Sequence, residues 1–127
     1  FAPGVADKAV LESTLAFLDV LQRMMLGKET SRLKGLYLFW NQVDKRETGG
    51  LYEKYGQVVA DMGLPMLQTR IPDTKRFRKE ADGTGRTVFR STLLAPDRRM
   101  LTGSGIPELT REIATILKLE GYEETAE

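Results

Sequence analysis

The five apolar residues Leu36-Tyr-Leu-Phe-Trp40 run directly into Asn41-Gln-Val-Asp44-Lys-Arg46, and this junction limits the fold more than any other stretch of the chain. A short apolar run bounded by polar residues reads as a fully buried strand of a parallel sheet. Parallel strands need crossover connections, so helices have to flank it. In open α/β sheets ligands bind just beyond the carboxyl ends of the strands, which is where Asn41 falls. Its amide offers one donor and one acceptor, the pair that reads an adenine edge. An Asn at such a place also caps turns well, and both readings stay open at this level.

Helical spacing appears on either side of the run. From Asp7 to Leu26, Leu11, Leu15, Leu18 and Met25 make one stripe, with Val10, Phe17, Leu21 and Met24 filling in beside it. So wide an apolar face predicts a helix well buried against a sheet, stopped by Gly27. A second helix is expected over 50–62 on Leu51, Tyr55, Val58, Val59 and Met62, ended by Gly63. Met66–Thr69 reads as a short strand closed by Pro72, and Asp73 or Thr74 can cap a short helix carrying Phe77 and Ala81. The stretch from Asp82 to Gly105 is Gly-rich, basic and irregular, with a strand or helical turn expected around Val88–Leu94. Pro107 and Glu108 suit a first helical turn, so a closing helix is expected over 107–118 with Leu109, Ile113, Ile116 and Leu117 buried. The acidic tail from Glu120 to Glu127 is expected to fray. Strand and helix alternate, which implies an α/β domain on a parallel sheet. Two or three strands make a thin core for these helices, so self-association over a sheet edge or an apolar face is expected.

The residue inventory removes several chemistries. The 127 residues include no His and no Cys, which excludes disulfides, the commonest general base and any Ser-His or Cys-His nucleophile pair. The opening residues lack the basic start and apolar block of a signal peptide, and no run suits a membrane span, so a cytoplasmic protein without a membrane partner is expected. Asp44 and Asp73 both follow strands and could pair as acid and base, but nothing brings a nucleophile or metal to them, and turn or cap roles are the commoner use. Phe39 and Trp40, near Lys45 and Arg46, could stack on bases, although a buried strand gives them core packing instead.

Charge is uneven. Residues 70–99 carry nine basic residues (Arg70, Lys75, Arg76, Arg78, Lys79, Arg86, Arg90, Arg98 and Arg99) against Asp73, Glu80, Asp82 and Asp97. That local +5 within a chain of net +1 suits an anionic partner, nucleic acid above all, or else a solvated basic face.

Taken in order, several pieces carry a resemblance. They are the Asn41-x-x-Asp44-x-Arg46 strand end, then Thr69-Arg-Ile-Pro-Asp-Thr-Lys-Arg-Phe77 with Glu80-Ala81, Gly83 or Gly85, and Thr87-Val88-Phe89. Gly103-Ser-Gly-Ile-Pro-Glu-Leu-Thr-Arg-Glu-Ile113 comes last. Over residues 34–118 the chain resembles the carboxyl-terminal half of ParA/MinD-type partition ATPases, whose phosphate loop is of the deviant Walker A kind. It departs from many of them at Asp73 and around Ile106-Pro107. No Gly-x-x-x-x-Gly-Lys-Ser/Thr loop is present, and Gly83-Thr-Gly85 lacks the length and the Lys to serve as one. With Phe1-Ala-Pro at its start, the chain is expected to be a fragment of such an ATPase, residues 1–127 being its carboxyl-terminal part.

The resemblance implies a P-loop NTPase-like three-layer fold with a small parallel sheet flanked by helices. It implies that the intact protein uses ATP and Mg, while this piece alone binds neither and is not itself an enzyme. Asn41, Pro72 and Asp73 would line the adenine side, and Asp44 and Arg46 would shape a turn. Arg76, Arg78, Lys79, Arg86, Arg90, Arg98 and Arg99 would hold DNA by its phosphates. Partition of a plasmid or conjugative element, a homodimer and a ParB-like partner follow from the same likeness. The alternatives are a non-enzymatic α/β interaction domain that has lost nucleotide binding and, less compatible with the missing His and Cys, an unrelated small α/β enzyme.

Overall fold

A computed structural model of the chain describes residues 1–47, 50–75, 77–78 and 98–119. They divide into two units, Phe1–Arg70 and Ile71–Glu127. The first contains β1 (Ala2–Gly4), α1 (Lys8–Met24), β2 (Leu38–Val43) and α2 (Leu51–Asp61), and β3 (Met66–Pro72) runs across the boundary. These strands form a three-stranded parallel sheet in the order β1-β2-β3, giving a mixed α/β fold.

β1 was not legible. Its sequence, Ala-Pro-Gly, is poor strand material, and what makes it a strand is the parallel register Ala2↔Leu38, Pro3↔Phe39 and Gly4↔Trp40. Pro3 is tolerated because β1 is an edge strand with one side unpaired. β2 begins two residues later than the apolar run and continues past it, so Asn41 lies inside the strand. The strand is not buried on both faces: Leu38 and Trp40 are buried while Phe39 and Asn41 are only partly so.

Asp7 opens α1 by accepting the Val10 N–H at 3.1 Å, one of the donors that a helix start leaves unsatisfied. After Met24 the Met25 N–H still reaches the Leu21 carbonyl, and Gly27, at φ 76°, takes the left-handed turn that ends the helix. Leu11, Leu15 and Leu18 are buried as their spacing predicts. Val10, Phe17, Met24 and Met25 are exposed, so only part of the wide apolar face is covered.

α2 starts after Gly50, whose φ of 71° suits glycine. Its buried residues are Tyr52 and Val59, with Leu51, Tyr55 and Met62 partly buried and Val58 turned to solvent. Leu11, Leu15, Leu18, Leu38, Trp40, Val43, Tyr52, Val59 and Leu64 make one cluster, so α1 and α2 share a core with the Leu38/Trp40 side of β2. Each fully buried side chain in it stabilises the fold by about 1.5–3 kcal/mol, so a charge at Leu11 or Leu38 would be the most damaging single change.

In the second unit, α3 (Arg98–Leu101) leads through Gly103 and Gly105, both at positive φ, into α4 (Ile106–Leu117). Ser104 is fully buried between them: its hydroxyl donates to the Leu101 carbonyl at 2.7 Å and accepts the Ile106 N–H at 3.2 Å. Pro107 sits in the first turn of α4, as expected. Ala114 is the buried residue of α4, whereas Leu109, Ile113 and Ile116 are partly buried and Leu117 is exposed. The strand or turn expected around Val88–Leu94, the contact expected of Ala81 and the acidic tail fall outside the described residues.

Candidate functional site

The carboxyl end of β2 carries one of the two non-glycine residues at positive φ among the described residues. β1 pairs with β2 only as far as Trp40, so Asn41 is the first β2 residue beyond that ladder. Its amide is partly buried and makes no hydrogen bond with another described side chain. Turn capping belongs instead to Asp44. Its Oδ1 accepts the Arg46 backbone N–H at 2.9 Å and the Arg46 Nε–H at 3.2 Å, while Oδ2 accepts from Nη2 at 3.3 Å. The side-chain and backbone hydrogen bonds from Arg46 hold the exposed Asp44 carboxyl below the usual carboxylate range. The Asp-x-Arg pattern is therefore a self-closed turn beside the strand end.

Between Asn41 and this turn, Gln42 has φ 52°. A non-glycine residue there is held against a backbone preference of about 1 kcal/mol or more, and such residues persist where the surroundings over-determine them. The consequence is visible in burial. The inward sequence Leu38, Trp40 would continue at Gln42, but Gln42 is exposed and Val43 is buried. The alternation slips by one residue, as it does at a bulge. Gln42 thereby re-aims the segment that carries Asp44.

The segment is fastened from below by Tyr52. Its hydroxyl accepts the Asp44 N–H at 3.3 Å, its ring meets Trp40 edge-on at 5.2 Å, and the Arg70 guanidinium lies 5.2 Å from the ring centroid. Trp40, Tyr52 and Arg70 thus form a ladder from the core to the surface, linked to the β2 end by one hydrogen bond. Neither Gln42 nor Tyr52 was singled out from the sequence. Tyr52 falls one residue after the helical stripe counted from Leu51, and a left-handed Gln leaves no mark in composition.

Pro72 and Asp73 belong to the second unit, where Pro72 is buried at the end of β3 and Asp73 is exposed. Asp73 Oδ1 lies 3.7 Å from Arg78 Nε, a surface ion pair that neutralises part of the basic segment. Lys75, Arg78, Arg98 and Arg99 are exposed, and Phe77, expected to be buried, is only partly so. Arg76, Lys79, Arg86 and Arg90 lie outside the described residues. Asp44 and Asp73 each hold an arginine of their own, which gives both carboxylates a structural use in place of the acid–base pairing considered above. Among the described residues no group of three or more acidic side chains could hold a metal ion, and no helix is long and apolar enough to cross a membrane.

Compared with family models, curated proteins and solved structures, the chain matches none.

Proposed function

We propose that this chain is the carboxyl-terminal half of a ParA-like ATPase that acts in DNA partition or transfer of a plasmid or conjugative element. It would contribute adenine contacts and a surface that binds DNA by its phosphates. The observation that carries the reading is the end of β2: a partly buried Asn41 beside a left-handed Gln42 and an Asp44–Arg46 turn, in a parallel α/β sheet. Ligands of such sheets sit beyond the carboxyl ends of the strands, and functional sites collect strained backbone. The sheet would then be one part of a P-loop NTPase-like three-layer fold whose phosphate loop and Mg-binding groups lie in the other half.

Asn41 has a defined task in this reading. Its amide N–H and carbonyl would pair with the adenine edge, which selects the base without touching the phosphates. Phosphate contacts carry most nucleotide affinity, so the 127-residue chain alone binds ATP weakly or not at all. In the intact protein, Asn41→Ala should weaken ATP binding about tenfold or more and narrow the preference for ATP over GTP, because the adenine edge loses its partner. Isothermal titration of both nucleotides measures this. Unchanged affinity and selectivity in the variant, or micromolar ATP binding by the chain alone, would rule the assignment out.

The exposed apolar side of α1 favours a second reading, an α/β interaction domain without nucleotide. The coding sequence upstream separates the two. A Lys-Gly-Gly-x-Gly-Lys-Thr-like loop belongs to the first reading, and a start codon beside Phe1 to the second.

A further inference from the structure

Arg70 is a cation that the described residues leave without a counter-ion. Asp44 and Asp73 each hold another arginine, and Glu53 folds back on its own helix, its Oε2 3.8 Å from where a Gly50 Cβ would stand. The guanidinium is nevertheless fixed. It lies 5.2 Å from the centroid of the Tyr52 ring, which is itself buried and braced edge-on against Trp40. Holding a long side chain in place before a ligand arrives removes part of the ordering cost of binding. The stacking uses the charge of Arg70 and spends none of its five N–H donors, none of which a described residue accepts. Tyr52 adds a donor. Its oxygen accepts the Asp44 N–H at 3.3 Å, which orients the hydroxyl and leaves its own proton to give. The Leu38 N–H donates to the Pro65 carbonyl at 3.0 Å, which sets Leu38 beside Met66 and, four residues on, Gln42 beside Arg70. Gln42 and Lys45 are both exposed, and Lys45 stands in the turn whose Asp44 N–H Tyr52 holds.

We propose that Arg70 and the Tyr52 hydroxyl form a binding site for a phosphate group, with Gln42 and Lys45 at its rim. The donor set selects the ligand. A guanidinium fork donates two parallel bonds to two oxygens of one anion. The Tyr52 hydroxyl then serves a third oxygen, which a phosphate has and a carboxylate lacks. Charge points the same way: Arg70 and Lys45 are both uncompensated among the described residues, which suits a dianion, while Arg46 is closed by Asp44. The ligand is free phosphate or a phosphate monoester on a larger molecule, since both present the same three oxygens. Arg70, Tyr52, Gln42 and Lys45 all belong to the first unit, and the site does not depend on the proposed ATPase reading.

The test titrates inorganic phosphate into the full chain at constant ionic strength and neutral pH, following the Arg70 Nε–H and Asp44 N–H resonances by NMR. Both should shift saturably, with a Kd of about 1–5 mM. Arg70→Gln should weaken binding at least tenfold, and Arg70→Lys, which keeps the charge and loses the fork, about fivefold. Tyr52→Phe keeps the ring under Arg70 and removes only the hydroxyl, so a loss of about three- to tenfold there reports the third contact without disturbing the core. Arg78→Gln, an exposed arginine of the second unit, should change nothing. An AMP arm identifies the source. Equal affinity for AMP and phosphate means that the group is read alone; tighter AMP binding whose excess disappears in Asn41→Ala joins the site to the proposed adenine contact. In both cases the Arg70 dependence must hold. Absence of saturation by about 50 mM phosphate overturns the proposal. So does undiminished binding by Arg70→Gln and Tyr52→Phe, or acetate binding as tightly as phosphate.

Discussion

Replacing Tyr52 separates three interactions that meet on one side chain. Tyr52→Phe keeps the buried ring and its edge contact with Trp40, removing only the acceptor for the Asp44 N–H. Asp44 is exposed, so water replaces the lost partner and the cost is about 0.5–1 kcal/mol. Tyr52→Ala also removes the ring from a site 7% exposed, and a buried aromatic truncated to Ala costs about 3–5 kcal/mol. Arg70→Ala loses a surface cation–π contact of about 0.5–1 kcal/mol. That loss should be the same in wild type and in Tyr52→Phe, and should vanish in Tyr52→Leu, where no ring remains.

Trp40 is the one tryptophan of the chain and is 2% exposed, so its fluorescence reports unfolding of this core. With a urea slope of about 1–3 kcal/mol/M, Tyr52→Phe should move the midpoint by about 0.2–1 M and Tyr52→Ala by about 1–5 M, about five times as far at any one slope. Equal losses for Phe and Ala would show that the ring is not a core element. An Arg70→Ala effect that persists in Tyr52→Leu would show that the guanidinium does not act through the ring.

Two further perturbations bear on the β2 end. Gln42→Gly should relieve the left-handed backbone and leave stability equal or raise it by up to about 1 kcal/mol, while the β-branched Gln42→Val should lower it by about 1–2 kcal/mol, both read from urea midpoints. Because Arg46 lowers the folded-state Asp44 pKa below the ordinary 3.8, its stabilisation is present above that value and is lost as pH falls through the folded pKa. The wild type should thus exceed Asp44→Asn in stability at neutral pH, and the gap should close in acid; a gap independent of pH would contradict this.

The sequence revealed the parallel α/β class and the helices α1, α2 and α4 because periodicity is local and strong. Asp7, Gly27, Gly50 and Gly63 marked helix ends for reasons of backbone geometry that any chain shares. Ala2–Gly4 stayed hidden since its strand conformation comes from pairing with Leu38–Trp40, a tertiary cause absent from the tripeptide itself. β2 ends three residues beyond the apolar run: pairing carries the strand through polar Asn41 and Gln42 to Val43, which hydropathy alone does not show. Spacing could show that α1 is apolar over a wide arc, but not that Leu11, Leu15 and Leu18 would find a partner while Phe17 and Met24 would not. At the candidate site the residue types were legible and their uses were not. Asn41 and Asp44 compete for the same turn on paper, and the difference between them rests on the one-residue slip at Gln42.

The most direct test of the proposed function is the salt dependence of DNA binding by the ATP-bound intact protein, followed by fluorescence anisotropy on two duplexes of unrelated sequence. Arg78, Arg98 and Arg99 are exposed on the basic segment, and each phosphate contact contributes about 0.9 to the slope of log affinity against log salt. Changing all three to Gln should weaken binding equally on both duplexes and flatten that slope by about 2–3. An unchanged slope and affinity in the triple variant would contradict the account, leaving the basic segment as a solvated face.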